Sequence, residues 1–418
     1  MTEAIALHAP LQTADGTPLK VSLRRAERLN KLRAFGLVSP LLFFLLLSFV
    51  APIVVMMYRA IDNPEIYENL PRVSETLKQW DKAALPSEAV FAALATDMKA
   101  AQEARTVGLL GKRLNYEVPG ARSKLLKTGR TIAQTEKGPW KEAFIAADPV
   151  WGDVDFWRVL ERSSHKLTTF YLLSALDLRV DEKGSIAKTF ADQAIFMDVY
   201  VRTLLISFLV TIATLVLGYP VAHLLATLPK RQANLLMILV LLPFSTSILV
   251  RTTAWVVLLQ TNGLVNDVLM YVGLISERIQ LIYNRGGTIV AMTHIQLPFT
   301  ILPIYSVMKT ISPAHMRAAR SLGANPFYAF WRVYIPQTLP GVGAGCLLTF
   351  ILCLGYYFTP TLVGGPLDQM VSYFVALYTN RELNWGMASA LGAMLLAVTM
   401  VFYIVFNRVV GIDKMKLG

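Results

Sequence analysis

ISPAHMRAARSLGANPFYAFWRVYIPQTLPGVGAGCLLTFILCLGYYFTPTLVGG, residues 311–365, decides how this chain is read. Ser312-Pro313 set an N-cap side chain directly before a proline at the first helical position, where the missing N–H costs nothing. A short helix follows, and Gly323 should stop it, because glycine enters the left-handed conformation at a helix C-terminus without a Cβ penalty. Asn325-Pro326 repeat the start signal. In the second helix Phe327, Phe330, Trp331 and Tyr334 fall at i, i+3, i+4 and i+7, one aromatic stripe, and Pro336 is expected to end it. Arg317, Arg320 and Arg332 add positive charge. Basic residues alone would follow from the rule that cytoplasmic loops are positive. That rule does not explain a helix-turn-helix elbow between two apolar runs, a shape suited to being gripped by another protein.

Working outward, 54% of the 418 residues are hydrophobic and only 16% are charged; the mean hydropathy is +0.47. Such a chain carries too much apolar surface for an ordinary soluble domain. Six runs are long enough to cross about 30 Å of hydrocarbon: 34–58, 199–225, 235–259, 288–308, 342–362 and 386–406. The fold class expected is therefore an all-α integral membrane protein. The 20 acids and 20 bases between Arg59 and Asp198 cancel, so the net charge of +12 belongs to the membrane portion. Lys20, Arg24, Arg25, Arg28, Lys31 and Arg33 precede the first span, Lys230-Arg231 follow the second, and Arg408, Lys414 and Lys416 follow the sixth. All join the elbow on one face if both termini are cytoplasmic. The first apolar run begins after more than thirty polar residues and is long enough to span, so it should remain as an anchor. The domains expected are a basic cytoplasmic tail over 1–33, a first span over 34–58, an extracytoplasmic helical insertion over 59–198, a core over 199–410 containing the loop 311–340, and a tail over 411–418.

AARSLGANPFYAFWRVYIPQTLPG resembles the "EAA" coupling loop of the permease subunits of ABC importers, the polyamine and opine permeases in particular. The resemblance implies a type I permease architecture in a bacterial inner membrane. It also implies that the loop docks on a cytoplasmic ATPase. By position, Ala318, Ala319 and Gly323 match that family's two alanines and glycine, and Phe330, Pro336 and Pro340 match later positions; Arg317 stands where the family carries glutamate. Asn325 and Pro326, which start the second helix, complete the coupling residues. The partners implied are a second homologous permease, two ATPase subunits, a periplasmic solute-binding protein and membrane lipid. The chain has no G-x-x-x-x-G-K-[ST] phosphate loop. ATP and Mg²⁺ are therefore expected on the ATPase subunits, with no cofactor, metal or catalytic residue on this one.

LLPFSTSILVRTTAW resembles the family's third-span motif and contains Thr246, Ser247, Arg251 and Trp255. Two placements fit Arg251: facing the protein interior or a wet cavity, or snorkelling to the interface beside Trp255. Pro243 should kink this span, and Pro298 and Pro303 the fourth, near Gln296. LGYYFTPTLVGGP resembles a stretch near the family's substrate path, with Tyr356 in place of a common acid, followed by Tyr357 and Thr359. These eight residues, from Thr246 to Thr359, are the substrate-path candidates. No Asp or Glu lies inside the six spans, which weighs against a polycation being bound by this chain alone. Cys346 and Cys353 read as small apolar side chains of the fifth span. His8, His165, His223, His294 and His315 are scattered, so they do not suggest a metal site.

In the insertion, Pro86-Ser87-Glu88 open a helical stretch toward Arg113, and further helices are expected over Ala121–Glu136 and Asp153–Leu176. Trp80, Trp140, Trp151 and Trp157 argue for a folded domain. A secondary transporter or channel would show inverted repeats or buried acids in its spans. A membrane enzyme would show a nucleophile–base pair or a ligand cluster, and a nucleic-acid binder a basic patch with its own fold. The resemblance points to import of a small nitrogenous solute, a polyamine, an opine or an amino-acid derivative, with iron, thiamine and phosphonate compounds as alternatives.

Overall fold

The computed structural model describes residues 19–181 and 184–410. The expected tail 411–418 with Lys414 and Lys416, residues 1–18 with His8, and the side chains of Lys20, Arg24 and Arg25 lie outside the described residues.

Two units are distinguished, Met1–Tyr58 and Arg59–Gly418. The first carries an apolar helical run, Asn30–Arg59, long enough to span, with one π-helical turn at Leu46–Val50. In the second unit the membrane-length helices are Phe196–Thr227, Arg285–Thr310, Pro326–Leu354 and Trp385–Arg408. The third span expected from sequence, 235–259, is not one helix. Lys230–Ser245 and Ile248–Leu259 meet at 98°. Pro243 removes a backbone donor, and Thr246 then turns extended, at φ −108° and ψ 148°. The kink expected at Pro243 is thus a break.

The second, fourth and fifth spans pack as a seam with hydroxyls at its centre. Thr300 donates to Thr214 at 2.9 Å and lies 2.7 Å from the Thr349 hydroxyl, all three fully buried. The fifth span approaches closely here because Gly345 has no side chain; a Cβ at that position would stand 2.8 Å from the Thr300 carbonyl oxygen. Small residues let membrane helices touch backbone to backbone, and threonines satisfy their hydroxyls across the contact.

Residues 64–163 fold as short helices around one apolar core. Phe91, Phe144, Trp151, Phe156 and Trp157 interlock edge-to-face or tilted, with centroids 4.8–5.9 Å apart. The two buried indoles keep partners: Trp157 Nε1 donates to the Trp151 carbonyl at 3.0 Å and Trp151 Nε1 to the Thr128 hydroxyl at 2.9 Å. Two of the long helices expected here are broken. The stretch from Glu88 divides into Glu88–Glu103 and Val107–Asn115 because Arg105 sits at φ +59°, and 153–176 divides into Val154–Ser163 and Phe170–Ser174. Each break lets the chain turn back on the aromatic core. Among the described residues the class is all-α apart from one small hairpin, Leu178–Val180 paired antiparallel with Ile186–Lys188.

The base of this insertion is joined to the membrane helices. Asp177 caps the second span: one carboxylate oxygen accepts the Ile195 and Phe196 amides at 3.1 and 3.0 Å, the other the Met197 amide at 2.7 Å. Tyr171 packs into a buried cluster with Phe196, Tyr200, Met387 and Leu391. Lys112 donates to the Glu382 carbonyl just before the sixth span.

Candidate functional site

The elbow forms as its capping signals require. Ser312 accepts from the Ala314 amide, and Asn325 from the Tyr328 amide at 2.7 Å. Gly323 has φ +89°, the Gly323 amide reaches the Arg320 carbonyl, and the Ala324 amide reaches Ala319 at 3.1 Å, a glycine-terminated helix end. Pro336, expected to end the second helix, does not. The helix continues through a π turn at Phe330–Tyr334, in which the Ile335 amide bonds five residues back to Phe330, and Pro336 falls in the first turn beyond it. The wider turn accommodates a proline that a regular α-helix would reject. One helical run therefore extends from Pro326 to Leu354, starting inside the loop expected over 311–340.

The aromatic stripe divides into two pairs. Phe330 and Tyr334 stack at 5.5 Å and pack against His223 of the second span, whose Nδ1 lies 3.3 Å from the Tyr334 hydroxyl. Phe327 and Trp331, 6.0 Å apart, stay 73% and 54% exposed, beside Leu322 at 89%. Arg317, Ala318 and Pro336 are exposed too, and Ala319 is half-buried. Together they present an apolar knob ringed by cations.

A second constellation lies at membrane depth. His294 is nine residues into the fourth span from Arg285, about 14 Å below the end opposite the elbow at 1.5 Å per residue. Trp255 Nε1 donates to His294 Nδ1 at 3.2 Å, so that nitrogen carries no proton. Arg251 lies one turn before Trp255, within electrostatic range of His294 and Tyr356; its Nε is buried and has no partner among the described residues. Thr252 and Thr359 share a buried hydroxyl contact at 3.1 Å, and Thr359 is 3.5 Å from the Tyr356 hydroxyl. Gln296, buried two residues on from His294, meets the Cys353 thiol. These groups come from the helix after the 98° break, the fourth span, the end of the fifth span with the turn that carries Tyr356, and the short helix Phe358–Val363. Among the described residues the cluster holds no carboxylate.

Of the path candidates, Arg251, Trp255, Gln296, Tyr356 and Thr359 are gathered here. Thr246 and Ser247 are not; their hydroxyls bond locally, to the Pro243 carbonyl and the Leu249 amide, and shape the break. Tyr357 leans on Phe358. His294 and Thr252 are additions. The signal for His294 was available: an ionisable side chain inside an apolar run is expensive and calls for an interior partner.

Residues 199–412 match the family described as the binding-protein-dependent transport system inner membrane component. The chain is 31% identical over 214 residues to the spermidine/putrescine transport system permease protein PotB of Escherichia coli (strain K12), covering 51% of this chain and 78% of the relative. It is 33% identical over 210 residues to PotB of Haemophilus influenzae, covering 50% and 73%. The inner membrane ABC transporter permease protein YdcU of Escherichia coli is 31% identical over 230 residues, covering 51% and 72%. Among solved structures, a bacterial ABC transporter involved in the import of the acidic polysaccharide alginate is similar with a TM-score of 0.42 and 21% identity, covering 51% of this chain and 78% of that one.

Proposed function

The chain belongs to the binding-protein-dependent transport system inner membrane components, and we propose that the elbow drives its transport cycle by moving the fifth span as a lever. As a permease subunit of an ABC importer it is a transport component whose ATPase is a separate subunit.

One observation carries the proposal. The second elbow helix and the fifth span are a single helix of 29 residues, about 44 Å long at 1.5 Å per residue. Its elbow end carries the exposed knob of Leu322, Phe327 and Trp331. Its other end, Leu354, is two residues from Tyr356 in the membrane-depth cluster. Closure of two ATPase subunits on ATP and Mg²⁺ would seat the knob, with Arg317, Arg320 and Arg332 steering an acidic rim. Arg317 in place of glutamate reverses the sign of one contact. The helix then moves as a rigid rod, displacing Tyr356 and Thr359 against Arg251 and Trp255 and so exposing the path alternately to either side. A second permease completes the path, a binding protein delivers the solute, and both termini face the cytoplasm.

The cargo proposed is a small nitrogenous solute, in keeping with the names of the PotB relatives. Because this chain's cluster offers a cation and aromatic rings, the carboxylates that a polyamine needs would come from the second permease.

The test is uptake of putrescine and spermidine by the transporter reconstituted with its partner subunits and binding protein. Trp331→Ala should weaken ATPase docking by about 2 kcal/mol, the scale of an interfacial aromatic anchor, and Gly323→Val should distort the elbow at its positive φ. Both should cut uptake while the binding protein keeps its affinity. Unchanged uptake in both variants would remove the elbow from the mechanism.

A further inference from the structure

The insertion contains a cavity of about 990 Å³ that the transport reading does not use. Its walls come from the helix Val154–Ser163, from residues within 167–180 and 184–196, and from Tyr378, Asn384 and Met387 around the start of the sixth span. It is separate from the Arg251 cluster, which shares no residue with it.

The charges lining this cavity do not cancel in function, although they nearly do in number. Every carboxylate is already committed. Glu117 takes Arg113 at 2.9 Å, Arg162 at 2.9 Å and the Ser163 hydroxyl at 3.1 Å. Glu161 lies between Lys82 at 2.8 Å and His165 at 3.4 Å, and Asp155 pairs with Arg158 at 2.7 Å. Asp177 spends both oxygens on the amides that open the second span. Among the described residues one lining cation has no carboxylate partner. The Arg179 guanidinium carbon stands 4.0 Å from the centre of the Phe190 ring, with Nε shielded from solvent and without a partner among the described residues. Ser174, Thr189 and Gln193 also line the cavity, with side chains that have no partner among the described residues. Phe170, Leu173 and Phe196 supply apolar wall.

We propose that this cavity binds a small organic carboxylate with an apolar or aromatic body, its carboxylate held in the plane of the Arg179 guanidinium. Contact with Phe190 holds the guanidinium at the cavity wall, and arginine grips a carboxylate through two parallel hydrogen bonds. Ser174 and Thr189 donate from the side, and the body rests on Phe170 and Phe196. The volume suits a ligand of this size. A cationic ligand would meet acids already paired with cations or backbone amides and an arginine that repels it. Since the walls come both from the insertion and from the approach to the sixth span, an occupant touches the two at once.

Calorimetric titration of the full chain in lipid nanodiscs tests this, with 3-phenylpropanoate as probe and its amide and 2-phenylethylamine as matched controls. The carboxylate should bind at least about tenfold more tightly than either control, the scale of one charge-assisted contact. Arg179→Gln should remove that advantage, whereas Arg251→Ala, which alters the membrane-depth cluster, should leave it. Absence of carboxylate binding, equal binding of the amine, or loss of binding in Arg251→Ala would each overturn the assignment. The comparison of probes on the unaltered chain stands even if Arg179→Gln does not fold. The proposal does not rest on the elbow mechanism, which the uptake assay tests separately.

Discussion

Gly386→Ala should loosen the insertion from the membrane helices. A Cβ at Gly386, in the first turn of the sixth span, would lie 2.4, 2.5 and 2.7 Å from three ring carbons of Tyr171. Contacts this short force something to move. Tyr171 is 2% exposed, with Phe170 packed edge-to-face at 5.3 Å and the Arg113 guanidinium 5.3 Å from its ring centre, so the ring has no free direction to swing. Overpacking of this kind costs about 1–3 kcal/mol. Replacing glycine inside a helix returns up to about 1 kcal/mol of propensity, and less in a first turn, so the clash wins. With about 0.5 kcal/mol returned, the helix Phe170–Ser174 and the Asp177 cap should then open about 2–60 times more often, since each 1.4 kcal/mol is a factor of ten. Amide hydrogen exchange at residues 170–177 and 195–199 reads this directly. Tyr171→Leu removes the obstructing ring carbons at its own cost in burial. Adding Gly386→Ala to it should then cost almost nothing, a coupling that a double-mutant cycle isolates. Unchanged exchange in Gly386→Ala, or an equal penalty in the Tyr171→Leu background, would refute the packing argument.

Two further outcomes are expected from the helical seam and the insertion. Thr300→Val leaves the buried Thr349 hydroxyl without its partner and should lower the thermal midpoint by the equivalent of about 1 kcal/mol; pairing it with Thr349→Val should recover part of the loss, because no orphaned hydroxyl then remains. Burial raises the pKa of the Asp97 carboxyl above 3.8, outweighing the Val73 and Arg72 amides and the Arg72 charge that favour its ionised form. The folded insertion therefore holds this proton to higher pH than the unfolded chain does. Its contribution to stability should decline as pH rises from near 3.8 through the raised value. Asp97→Asn should flatten that part of the pH profile in denaturant titrations followed by tryptophan fluorescence.

The features legible in the sequence were those decided within one or two turns. Ser312, Gly323 and Asn325 act on amides and carbonyls no more than five residues away, so their pattern already contained the elbow. Membrane-length apolar runs were equally plain, because a bilayer demands length and composition rather than particular neighbours. Pro336 was misread for want of the π turn before it, which depends on Phe330 and Tyr334 stacking and on His223 of another span. The break in the third span and the split helices of the insertion were likewise hidden, since hydropathy does not register direction.

What the sequence by itself determined is that this chain crosses a membrane and carries an elbow, both consequences of short-range backbone chemistry and of the cost of exposing polar groups to hydrocarbon. Tertiary structure alone decided that the elbow and the fifth span are one rod. It also brought Arg251, His294 and Tyr356 together and placed Arg179, without a carboxylate partner among the described residues, at the wall of a cavity. Those groups stand far apart along the chain, and only packing, which depends on the shapes of all the intervening helices, fixes which of them meet.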